Sequence, residues 1–185
     1  IADGEILVDA VFKESGDEVL LTRGRVLGGG AALIERHLGL VIKSGYHTVA
    51  MSSRIGGAIN GRFSREEAGA KRGVANPKQD DFIEIAMHDN YSRNLGRYMD
   101  VIRSIAVRES PSERLARIQV LEKKLLEPAA AREAALQLEA IGKEGMSALK
   151  SGLKSKHREV RFYAAEALAY MDVSDGVEVL ADGVP

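Results

Sequence analysis

A repeat close to thirty residues long constrains this chain more than any other feature of it. Ala134-Ala135-x-x-Leu138-x-x-Ile141 matches Ala164-Ala165-x-x-Leu168-x-x-Met171 thirty positions later, and Gly145, Leu149 and Gly152 match Gly176, Leu180 and Gly183 at thirty-one. Apolar residues three and four apart draw one stripe along a helix. Two helices per period leave an apolar face that only a neighbouring pair can cover, which is the logic of an α-solenoid. The pattern predicts such an array after Ser110-Pro111, led by a helix over residues 112–127 that starts at an N-cap Ser112 and carries Leu115, Ile118, Leu121 and Leu125 on one face. Two copies are fewer than a stable array needs, so the array is expected to run on past Pro185.

The part before residue 110 has a different texture. Glu5 to Phe12 is β-branched and apolar, Ser15-Gly16-Asp17 supplies turn chemistry, and Val19 to Thr22 offers a second strand, so a hairpin is expected with residues 24–30 as its exit loop. Leu38, Leu40 and Ile42 then alternate as on a strand, and Tyr46 opens a helix carrying Met51, Ile55, Ala58 and Ile59. The same switch recurs about 45 residues on: Ile83, Ile85 and Met87 alternate, and Tyr91 opens a helix carrying Leu95, Tyr98, Met99, Ile102 and Ile105. A duplicated strand-helix unit predicts a small sheet with helices on one side. Residues 64–80 are polar and Gly-rich, with 75–80 expected as loop. The expected fold class is therefore an α+β module over 1–110 followed by α-helical repeats over 111–185.

Glu159-Val160-Arg161-x-x-Ala164-Ala165-x-Ala167-Leu168 is similar to the motif of short bacterial HEAT-like repeats, a likeness that covers about residues 128–185. That family includes scaffold proteins and lyases acting on bilin chromophores, so it implies a fold and no one activity. The first module resembles the flagellar P-ring protein family over about residues 4–108. The resemblance rests on four stretches in order: Gly4-Glu5-Ile6-Leu7-Val8 through Gly16-Asp17-x-Val19; Arg23-Gly24-Arg25-Val26-x-Gly28-Gly29; Leu38-Gly39-Leu40-Val41-Ile42 through Ile55-x-x-Ala58-Ile59-Asn60; and Ile83-x-Ile85 through Tyr91-x-x-Asn94 and Ile102-x-x-Ile105-x-Val107. Met87-His88 stands where that family has Val-Pro, and a helix follows Val107 where the family closes its domain with a strand. The resemblance implies a periplasmic bushing around the flagellar rod, assembled from copies of itself and without catalysis.

Composition narrows the chemistry. There is no Cys, which excludes disulfides, zinc ribbons and thiol catalysis. Residues 1–110 hold 15 basic and 15 acidic side chains and residues 111–185 hold 11 and 12, so neither part is a basic module suited to nucleic acid. No apolar run approaches the roughly 20 residues of a membrane span. The chain starts and stops in mid-pattern and reads as a piece of a longer protein, in which an export signal would precede Ile1. Gly28-Gly29-Gly30 lacks the Lys-Ser/Thr and the spacing of a phosphate loop. His37, His47, His88 and His157 fall at no metal-ligand spacing; His47 and His88 sit at strand-to-helix turns, where ligands bind in α/β sheets, and are the best small-molecule candidates. Neither a catalytic residue nor a cofactor or metal ligand is assigned.

One charged cluster stands out. Lys143, Lys150, Lys154, Lys156, Arg158 and Arg161 gather with His157 around the junction of the two repeats, interrupted by Glu144 and Glu159. Lys150, Lys154, Lys156, Arg158 and Arg161 are the candidate partner-binding residues, facing an acidic protein; the plainer alternative is a solvated face shared with Gln137 and Glu139. The function expected is a non-enzymatic structural component of the cell envelope, with protein partners and no nucleic acid or membrane insertion. The alternative is a soluble HEAT-repeat adaptor, in periplasm or cytoplasm, whose α/β module binds a ligand or peptide. A chromophore-lyase-like enzyme is the third and least supported reading, because no nucleophile or acid-base pair stands out.

Overall fold

The computed structural model describes residues 6–8, 24–26, 37–67 and 69–183. Contacts divide the chain into residues 1–36 and residues 37–185. In the first unit, β1 (Ile6–Val8) pairs antiparallel with β2 (Gly24–Val26), Leu7 opposite Arg25. A strand thus occupies positions 24–26, where an exit loop was expected, because Arg25 and Val26 supply an extended partner for the apolar Ile6-Leu7-Val8 run. The turn at residues 15–17, the arm 19–22 and Gly28-Gly29-Gly30 lie outside the described residues.

In the second unit three strands form an antiparallel sheet in the order β3-β7-β6: β3 is Leu38–Val41, β6 is Ala75–Pro77 and β7 is Phe82–Ile85. Leu38 faces Ile85 and Leu40 faces Ile83 in one pair; Ala75 faces Ile85 and Pro77 faces Ile83 in the other. Period-two alternation in β7 sends Ile83 and Ile85 wholly into the core. Strand β6 corrects the loop expected at 75–80: Pro77 and Asn76 look like breakers, but a sheet edge tolerates a residue without an N–H. β4 (Ser64–Glu67) and β5 (Ala70–Gly73) make a separate two-stranded ribbon, turned at Gly69 with a φ of 76°.

Helix α1 (Val49–Arg62) begins three residues after the expected start at Tyr46, because Thr48 is its N-cap: the Thr48 hydroxyl accepts from the Met51 N–H at 3.0 Å. Asp89–Tyr91 forms one 3-10 turn, and α2 (Leu95–Arg103) starts after the N-cap Asn94 rather than at Tyr91. α3 (Pro111–Leu125) is capped by Ser110, not Ser112; Pro111 takes the first helical position and Glu113 returns its carboxylate to the Ser110 N–H at 2.8 Å. Ser110→Ala should cost about 1 kcal/mol, read as a lower urea midpoint with an unchanged slope.

The rest is helical: α4 (Pro128–Ile141), a 3-10 turn (Lys143–Gly145), α5 (Met146–Gly152), α6 (Arg158–Tyr170), a 3-10 turn (Ser174–Gly176) and α7 (Val177–Gly183). The succession helix, 3-10 turn, short helix therefore occurs twice. The molecule is mixed α+β and mostly helical, with seven helices and small antiparallel sheets among the described residues. None of these helices is long and apolar enough to cross a membrane.

Two apolar clusters form. Ile59, Phe63, Ile83, Ile85, Tyr91, Tyr98, Val101 and Ile102 make one; Leu121, Leu125, Leu138, Leu149, Val160, Ala164 and Leu168 make the other. Leu136, Ala140 and Tyr170 belong to the helical part in sequence but pack into the first cluster. Residues 37–185 are accordingly one compact unit, and the change of texture at Pro111 is a change of secondary structure that packing crosses. Two expected core residues are exposed. Leu95 opens α2, and Leu115 lies in the first turns of α3, where no described element covers it.

Candidate functional site

Where the sheet part meets α4 and α6, the apolar seam is broken by charge. Ala131, Ala134, Ala135 and Leu138 repeat at three- and four-residue steps along the buried stripe of α4, and the next position on that stripe is Glu139, 0% exposed. This corrects the reading of Glu139 as part of a solvated face. Its carboxylate accepts from the Tyr91 hydroxyl at 2.6 Å and from Arg97 Nη2 at 2.6 Å, with Arg97 Nε at 3.4 Å. The other arm of Arg97, Nη1, reaches Glu166 on α6 at 2.6 Å. One guanidinium of α2 thus ties α4 to α6.

Aromatic rings seal the clamp. The Arg97 guanidinium lies 4.5 Å above the Tyr170 ring, and Tyr170 stacks on Tyr91 with centroids 4.9 Å apart. Tyr91 also meets Phe63 edge-on at 5.6 Å and Tyr98 at 5.1 Å. Asn94 does two things at once: its carbonyl caps α2 at the Arg97 N–H, and its amide donates to the Tyr170 hydroxyl at 3.0 Å. Asn90 in the 3-10 turn donates to Asp172 at 2.7 Å, a residue held at a φ of 60° just past α6.

Burial drives the electrostatics. It pushes the Glu139 carboxyl above its ordinary value, against the pull of Arg97 and Tyr91. Arg97 also lies above its ordinary value: burial works against its charge, yet the bonds to Glu139 and Glu166 hold the proton more firmly than usual. The pair is best described as ionised, since short bonds to both guanidinium arms and one phenol satisfy the charges present. Burial, then the neighbouring Glu139, pushes the Tyr91 hydroxyl far above its usual range, so it stays protonated and donates to Glu139. A cavity of about 270 Å³ touches Arg97 and Glu166 beside Arg132 and Phe162, but Glu139 and Tyr91 do not line it. The arrangement suits a fastener better than a proton-transfer site.

The two candidate histidines are not brought together. His47 Nε2 bonds the Ile42 carbonyl at 2.7 Å and so closes the turn after β3. His88 accepts from the Asn90 N–H through Nδ1 at 3.3 Å, capping the 3-10 turn, and packs on Phe63 at 5.5 Å; burial lowers its affinity for a proton. Among the described residues no cluster of His, Asp and Glu is arranged to hold a metal ion.

The basic residues near the helical junction spread over three elements. Lys150 on α5 pairs with Asp175 at 3.0 Å. Arg161 on α6 donates to the Ser155 and Lys156 carbonyls at 2.9 and 3.1 Å, folding its charge onto the connection between α5 and α6. Lys154, Lys156 and Arg158 are exposed. Glu139 was missed by the sequence reading although a signal existed, a lone carboxylate four residues after Ala135 on an apolar stripe. Its partner Arg97 lies 42 residues away, and nothing local links the two. No known protein family matches this chain, and neither a curated protein nor a solved structure shows significant similarity to it.

Proposed function

We propose that this chain is a non-enzymatic structural component of the cell envelope, P-ring-like, that works by packing against copies of itself. In this reading its helical part is a HEAT-like surface for a second protein, such as a rod component. The observation that carries self-assembly is the unequal treatment of the two sheet edges. At the β6 edge the Asn60 side chain imitates a strand: its Oδ1 accepts from the Ala75 N–H at 2.7 Å and its Nδ2 donates to the Ala75 carbonyl at 2.8 Å. Gly73 makes room for it, since a Cβ there would sit 2.2 Å from Asn60 Cγ. Pro77 removes a further donor from that edge. At the other edge β3 is the outermost described strand, and Val41, Tyr46 and Val49 beside it are 70%, 63% and 71% exposed. An open edge flanked by apolar side chains invites pairing with another chain.

The test is sedimentation over a wide concentration range, comparing the parent with Val41→Asp/Tyr46→Glu. Self-association weakened by at least about tenfold, about 1.4 kcal/mol, is expected. A parent that stays monomeric throughout would remove the reading, as would a full-length gene product without an export signal.

The adaptor reading draws on one observation, the exposure of Lys154, Lys156 and Arg158 between α5 and α6. Charge reversal at Lys150, Lys154 and Arg158 would abolish capture of an acidic partner under it, and unchanged capture would refute it.

A further inference from the structure

We propose that β3 pairs antiparallel with β3 of a second copy about a two-fold axis at Leu40, joining two three-stranded sheets edge to edge. This rests on the reading that the chain packs against copies of itself, and goes further by fixing symmetry and register. The hydrogen-bond phase of the sheet comes first. The Ile42 N–H donates to the Asp81 carbonyl opposite it at 2.8 Å, and Leu40 and Leu38 face Ile83 and Ile85 in the same ladder. In an antiparallel strand each residue turns both backbone groups to one side, and successive residues alternate. Leu38, Leu40 and Ile42 therefore spend theirs on β7, and Gly39 and Val41 hold theirs out at the open edge. The far side of the sheet keeps the same phase: the Ala86 N–H reaches the Val74 carbonyl at 2.8 Å, so Asn76 bonds toward β7 while Ala75 and Pro77 face outward.

Symmetry follows from what the two edges offer. Ala75 gives its N–H to Asn60 and Pro77 has none, so β6 presents no donor to a neighbouring strand. Head-to-tail growth through this sheet is thereby blocked, and pairing has to use β3 twice. One antiparallel register employs every outward group. With Leu40 opposite Leu40 of the second copy, Gly39 stands opposite Val41, and each such pair exchanges two bonds. An axis at Val41 would bring Gly39 to Lys43, whose carbonyl already accepts from the Tyr46 N–H at 3.1 Å. An axis at Gly39 would set Val41 against His37, which precedes the strand. Side chains favour the same register. Val41, 70% exposed, lies opposite a residue with no side chain, and the Phe82 ring leans over that gap: a Cβ on Gly39 would come 2.6 Å from Phe82 Cε2. Each Val41 thus gains an apolar neighbour on the other copy. Both outer edges of the joined sheet are then β6, so assembly through it stops at two copies.

Two kinds of variant test the pairing. Val41→Pro deletes an outward N–H that the β3-β7 ladder does not use, at an edge position where proline is tolerated. By symmetry it removes two of the four bonds between copies, so dimerisation followed by sedimentation should weaken at least about tenfold, with the melting temperature of the dilute protein unchanged. Leu40→Cys sets a thiol at the axis of a chain that has no other cysteine, and oxidised glutathione should link two copies there. Lys43→Cys is the control: three residues from the axis, its two sulfurs would stand roughly 20 Å apart and should stay unlinked. A parent that never associates removes this pairing together with the reading it rests on. A parent that associates while Val41→Pro does so equally well, or while Lys43→Cys links faster than Leu40→Cys, removes the two-fold pairing alone.

Discussion

Arg97→Met is expected to cost about 3–5 kcal/mol of folding stability, because it strands a carboxylate that has no water to turn to. Glu139 is wholly buried, and among the described residues its carboxylate is bonded by Arg97 and the Tyr91 hydroxyl. The same change removes the Glu166 bridge and the cation over Tyr170, each a smaller term. The penalty has a sign with pH. Burial already lifts the Glu139 carboxyl above its ordinary 4.5, and loss of Arg97 removes the charge that pulled it down, so it rises further. A carboxyl raised in the folded state contributes stability that is present below its unfolded value and is lost as pH climbs through the folded one. The variant should therefore approach the parent near pH 4 and fall furthest behind at pH 8. Urea titrations at the two pH values measure this, and a penalty that does not change with pH would show that Glu139 is not the group left stranded. Adding Glu139→Leu and Tyr91→Phe should recover most of the loss, since a buried ion pair exchanged for apolar packing is near neutral while a broken one is not.

The same clamp shows what could and could not be read from the residues in order. The stripe Ala134-Ala135-x-x-Leu138 is local, and it placed α4 and the buried face correctly. Ala164, Ala165 and Leu168 did the same for α6. Burial of Glu139 is not local, since it depends on α2 lying across that position. In α6 the residue thirty positions on, Ala169, is exposed, so the repeat itself gave no warning. Strands β4 and β5 were illegible for another reason: Ser64-Arg65-Glu66-Glu67 and Ala70-Lys71-Arg72-Gly73 have no alternating apolar face in the sequence, and the ribbon shows itself in backbone pairing. Caps were legible in kind and misplaced by two residues, because Ser110 and Ser112 are equally good acceptors and Pro111 between them decides for Ser110. The edge-closing role of Asn60 depends on side-chain geometry across the fold, which no spacing rule encodes.

Gly145→Ala should cost about 3 kcal/mol or more, although it adds a single methyl group to a residue in a turn. The added Cβ would lie 2.5 Å from the Leu138 carbonyl oxygen and 3.2 Å from its carbon, and backbone of a buried helix cannot swing aside as a side chain would. Gly176, which matches Gly145 at thirty-one residues, meets the preceding long helix in the same manner: its Cβ would stand 2.7 Å from Ala165 Cα. Its penalty should be smaller, because α7 can yield outward; Val177 at its start is 57% exposed. The control is Gly57 on α1, where nothing lies within 4 Å of an added Cβ and the backbone is already helical. Gly57→Ala should stabilise by about 0.5–1 kcal/mol, as alanine is the better helix former and narrows the unfolded chain. One substitution thus changes sign between helix surface and turn, and denaturant midpoints of the three variants measure the contrast. If Gly145→Ala folded as stably as the parent, close approach of the 3-10 turn to α4 would not be what that glycine provides, and the matched glycines at 145 and 176 would lose their structural meaning.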